Sequence, residues 1–89
     1  MESAPAGLDV DRVRDAIAGV AGVTGVHDLH VWSITSGMVA LSAHVQVAAD
    51  HGSNAVLAAV RSRLQDGFGI DHTTIQIERD GFAEAPTHA

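Results

Sequence analysis

Six histidines stand in a chain of 89 residues that has three aromatic side chains, Trp32, Phe68 and Phe82, and no cysteine. Four of the six fall in three short blocks, two of which also carry a carboxylate. The blocks are His27-Asp28-Leu29-His30, Leu41-Ser42-Ala43-His44 and His72-Thr73-Thr74-Ile75-Gln76-Ile77-Glu78. Imidazole and carboxylate are the ligands zinc takes when thiolate is absent, in a roughly tetrahedral set. Copper(II), nickel and cobalt accept the same donors. His27, His44, His72 and Glu78 are therefore the candidate metal ligands. Asp28 is placed to be a further ligand or to hold an imidazole in its metal-binding tautomer. His30 has a packing or supporting role, His51 reads as a solvated loop residue, and His88 lies in the tail.

The elements must bring these residues together. Asp9 is a helix cap, and Val10, Val13, Ala16, Ile17 and Val20 recur at helical spacing behind it. Gly19, Gly22 and Gly25 end that helix. A strand is expected from Val26 to Thr35, then a turn at Ser36-Gly37. Val39, Leu41, Ala43, Val45 and Val47 alternate with smaller or polar residues, which predicts a strand with one face on a core. Ser53 is expected to cap a second helix carrying Val56, Leu57, Val60 and Leu64, stopped by Gly67 and Gly69. A last strand runs from His72 to Arg79, with Thr73, Ile75 and Ile77 on one face.

The order is α-β-β-α-β, an α+β two-layer sandwich with a three-stranded mixed sheet and both helices on one face. Residues 8–79 form the domain, 1–7 a linker and 80–89 a loose tail. On the bare face, strand parity puts His44, His72, Gln76 and Glu78 together. The face of His27 depends on the hairpin. A two-residue turn puts it with His44 and sends Trp32 and Ile34 to the core; a three-residue turn does the reverse unless a bulge intervenes. On this reading three histidines and a glutamate converge at one end of the sheet.

A net charge of −6 disfavours nucleic acid and favours cations. The lack of cysteine excludes a disulfide scaffold and a thiolate zinc site. No stretch reaches the ~20 apolar residues of a membrane span. So small a chain buries a modest core, for which oligomerisation is a common remedy. No nucleophile–base pair or paired-carboxylate arrangement points to an enzyme.

The three blocks, in this order and spacing, resemble the cytosolic C-terminal domain of the cation diffusion facilitators, the zinc, cobalt and cadmium efflux transporters. The likeness runs from about Leu8 to Glu78. It implies a metallochaperone-like (ferredoxin-related) fold, a homodimer and metal binding at or beside the dimer interface. It matches the metal-binding positions to His27, His44, His72 and Glu78. One branch has histidine where this chain has Gln76, and some members complete the site with a partner's cysteine, which this chain lacks. The resemblance implies a Zn²⁺-binding regulatory domain on the cytosolic side of the membrane, joined to a membrane domain, with Co²⁺ or Cd²⁺ as other cargoes; Ni²⁺ and Cu²⁺ remain open from the donor chemistry alone. A stand-alone metal buffer or carrier and a metal-free structural dimerisation module are the competing functions.

Overall fold

Asp9 opens the first helix as the sequence requires, its carboxylate accepting the Asp11 amide at 3.0 Å. The computed structural model describes residues 7–35 and 37–79. Helix α1 (Val10–Ala18) buries Val13 and Ile17 completely. A tight turn with Gly22 at φ 93° leads into β1 (Val23–Thr35), which begins three residues earlier than expected. β1 pairs antiparallel with β2 (Met38–Val47). Helix α2 (Ser53–Phe68) then crosses to β3 (His72–Arg79), which pairs parallel with β2. The sheet order is β1-β2-β3, with β2 central as expected.

Leu41, Ala43, Val45 and Val47 of β2 are buried against Val13, Ile17, Val56, Val60 and Leu64 of the helices. The intervening Ser42, His44 and Gln46 are only partly covered. Ile75 and Ile77 pack at the margin of this core. The alternation on β2 is therefore the period-two pattern read from the sequence.

Two expectations change. The helix cap of α2 is Gly52, without a side-chain hydrogen bond; Ser53 is the first helical residue and accepts a bond from Arg79 instead. Gly67 lies within α2, and the stop is Gly69, at φ 68°, where a left-handed residue closes the last turn. Of the two placements left open for Trp32 and Ile34, the structure shows the one outside the core, and Ile34 is 54% exposed. Trp32 instead lies opposite Ala40, which is buried outside the main core cluster. The expected linker (apart from Gly7), the tail with His88, and Ser36 of the turn lie outside the described residues. Among the described residues no helix is long and apolar enough to cross a membrane.

This division between core and surface is testable by urea denaturation. Leu64→Ala should cost about 2–5 kcal/mol, since a fully buried leucine leaves a cavity. Ile34→Ala should stay within about 0.5 kcal/mol. Equal losses would contradict the assignment of Ile34 to the surface.

Candidate metal centre

β1 is not a regular strand. Its register against β2 slips by one residue at three places: between Val23 and Gly25, between His27 and His30, and between Ser33 and Thr35. The middle slip positions the site. His27 stands directly opposite His44, and three residues later His30 stands opposite Ser42, only two residues back on β2. The extra residue is absorbed by a bulge in which Asp28 takes φ 54°, a left-handed conformation that aspartate tolerates better than most residues. Because of that bulge, His27 shares the open face with His44 while Val31, opposite Leu41, is buried. The bulge thus decides the two turn-length alternatives that the sequence leaves open.

His27 and His44 meet edge to face, their ring centroids 6.2 Å apart. The Glu78 carboxylate joins them from β3. Its Oε1 lies 3.1 Å from His27 Nε2, and its Oε2 lies 2.8 Å from His44 Nδ1. Asp28 Oδ2 is 3.6 Å from the same His44 Nδ1, an ion-pair approach rather than a hydrogen bond. All three strands therefore contribute to one cluster, through His27 and Asp28, His44, and Glu78.

Burial pushes the Glu78 carboxyl up, but the hydrogen bonds from His27 and His44 and the attraction of their rings outweigh it. The result lies below the ordinary 4.5. Glu78 is thus an anion with a proton-bearing imidazole nitrogen at each oxygen, in an environment where its side chain is only 14% exposed. A divalent cation is the natural replacement for such shared protons. Around a tetrahedral ion with bonds of ~2.0–2.1 Å, ligand atoms stand about 3.3 Å apart. The present contacts would widen by only a few tenths of an ångström. As they stand the side chains close on one another, and no group of three or more among the described residues surrounds a common ion position.

The other candidates are placed as follows. Gln76 is opposite His44, and His30, Ser42 and Thr74 line the same shallow depression with Asp28. His30, out of step with His27 by simple parity, is returned to the open face by the bulge. His72 does not join the cluster within one chain. It is paired with Ala40, four residues before Gln76, and so lies ~13 Å away along the strand. His51 is a partly exposed loop residue, its side chain 42% exposed. Its ring is close enough to fill the space a Cβ on Gly22 would occupy, and its Nδ1 bonds Asp50 at 3.0 Å. That bond holds the Asp50 carboxyl below its usual range.

Comparison with known proteins follows this geometry. Residues 5–80 match the family described as "Cation efflux protein, cytoplasmic domain". The chain is 42% identical over 78 residues to the proton-coupled zinc antiporter SLC30A2 of Homo sapiens, covering 88% of this chain and 21% of the antiporter. It is 42% identical over 79 residues to a probable zinc transporter protein of Dictyostelium discoideum, covering 89% of this chain and 14% of that one. Among solved structures it resembles the metal-bound C-terminal domain of the CzcD transporter from Cuprividus metallidurans, with TM-score 0.76 and 38% identity. That match covers 80% of this chain and 99% of the CzcD domain. The MamM C-terminal domain shares the fold, with TM-score 0.68 at 18% identity, over 79% of this chain and 92% of that one. The chain spans about a fifth or less of the first curated relatives it matches.

The lowered carboxyl of Glu78 gives an acid limb to stability. A carboxylate whose folded pKa is depressed stabilises the fold above its unfolded value, here about 4.5, and loses that contribution as pH falls through the lowered folded value. Thermal melts of the metal-free chain from pH 6 to pH 3 should show Glu78→Gln less stable at pH 6, the gap closing towards pH 3. A gap that widens with acid would contradict the arrangement.

Proposed function

The chain belongs to the cation efflux protein family, as its cytoplasmic domain, and on that premise we propose that it is a metal-binding, dimerising regulatory domain of a divalent-cation efflux transporter. The observation that carries this reading is the Glu78 carboxylate shared between His27 Nε2 and His44 Nδ1. It brings two imidazoles from two strands onto the two oxygens of one carboxylate from the third, a donor set of the kind zinc takes. Zn²⁺ is the cargo the donor set fits first; Co²⁺, Ni²⁺, Cu²⁺ and Cd²⁺ accept the same donors, with Cu²⁺ the strongest competitor.

Within one chain His27, His44 and Glu78 supply three donors, with Asp28 in reach of the fourth position. His72 acts outside this set unless a second copy delivers it. Two copies together carry −12, twice the −6 of one chain. Bound divalent cations would relieve that repulsion, so metal and association are coupled. The metal shifts the paired state only by its differential affinity for it. The site would therefore report cytosolic metal to the membrane part of the transporter.

Native mass spectrometry of the stripped chain, titrated with zinc, tests the proposal. Dimers should take up whole, saturable zinc ions, and His44→Ala should weaken uptake at least about 10-fold without unfolding the domain. Affinity should fall between pH 7.5 and 5.5, because a protonated imidazole nitrogen cannot ligate and protons compete with the metal for it. A non-saturating response, or affinity flat across that range, would refute histidine ligation.

A further inference from the structure

Arg79, next to Glu78, points the other way. Odd positions of β3 carry Ile75 and Ile77 towards the helices, while Glu78 belongs to the open face. The exposed Arg79 guanidinium reaches the segment between β2 and α2. Its Nη1 donates to Ser53 Oγ at 2.6 Å, and its Nη2 donates to the carbonyls of Ala49 and His51 at 2.8 and 3.1 Å. These bonds fasten the end of β3 to the entry of α2, where Gly52 offers no side-chain cap.

The same segment grips the start of β1. The Ala48 amide donates to the Gly22 carbonyl at 2.8 Å, and the His51 ring sits against Gly22. One guanidinium therefore ties together the end of β2, the end of β3 and, through His51, the start of β1. These are the ends that carry His44, Glu78 and His27. A positive charge does not itself attract a cation, so any contribution of Arg79 to metal binding is geometric.

We propose that Arg79 is a positioning residue for the His27–His44–Glu78 cluster, setting its metal affinity through the β2–α2 segment without touching the ion. This rests on the metal-site reading above. Arg79→Lys is the discriminating variant, because it keeps the charge and loses the planar fork that holds three acceptors. Ser53→Ala removes one acceptor and serves if the lysine variant does not fold.

Two readouts separate the claims. In competition with a chromophoric chelator at pH 7.5, well below the melting temperature, Arg79→Lys should bind zinc about 10-fold more weakly. Ser53→Ala should fall in between. In the metal-free chain, the ¹⁵N resonances of His27 Nε2 and His44 Nδ1 should shift in both variants, as their contacts with Glu78 loosen. Unchanged ring resonances with zinc affinity equal to or tighter than wild type would overturn the proposal and leave Arg79 a structural clamp. Should the wild-type chain bind no zinc, the metal reading fails, while the ring resonances still decide the positioning role. Unmoved resonances then overturn it and shifted ones sustain it.

Discussion

One carboxylate organises the open face of this sheet. Glu78 places an oxygen on each of two imidazoles, and each ring comes from a different strand. That contact can exist only if three strand ends hold their register together. It also explains why the carboxyl stays ionised while shielded from water: the two rings stabilise the anion more than its partial burial disfavours it. A carboxylate kept charged at low exposure by exchangeable protons is prepared to receive a cation in their place.

The register is obtained at a local cost. A continuous β1 would place either His27 or Val31 on the wrong face, since side chains alternate strictly along a strand. The bulge at Asp28 and Leu29 lets both be right, at the expense of a left-handed non-glycine residue. The strain sits where the ligands are, and the same residue brings its own carboxylate towards His44. Bulges also roughen β1 as an edge strand, which discourages pairing with stray chains along that side. At the opposite edge, β3 is regular for all eight residues, and its end is secured by Arg79.

Where strands are regular, the sequence was sufficient. The alternation of Leu41, Ala43 and Val45 gave β2 its buried face and so gave His44 its direction, and Ile75 and Ile77 did the same for Glu78. Asp9 was legible as a cap because its carboxylate bonds an amide two residues away. Parity alone was not enough on β1, where three slips reset the phase; only the first, at Gly25, carries a local mark, a glycine within the strand. It also could not place His72 along the sheet. Parity gives the face, whereas the parallel register of β3 is set by the packing of α2, which puts His72 beside Ala40 and not beside His44. Ser53 looked like a cap because nothing local reveals that a side chain 26 residues later claims its hydroxyl.

The central claim is that His27, His44 and Glu78 close around a divalent cation. Zinc K-edge X-ray absorption of the chain loaded with one equivalent of zinc tests it directly. The expected spectrum is a four-coordinate nitrogen and oxygen shell at about 2.0–2.1 Å, with the outer-shell scattering of two or three imidazoles. An all-oxygen shell without imidazole scattering, the signature of a solvated or surface-bound ion, would contradict it.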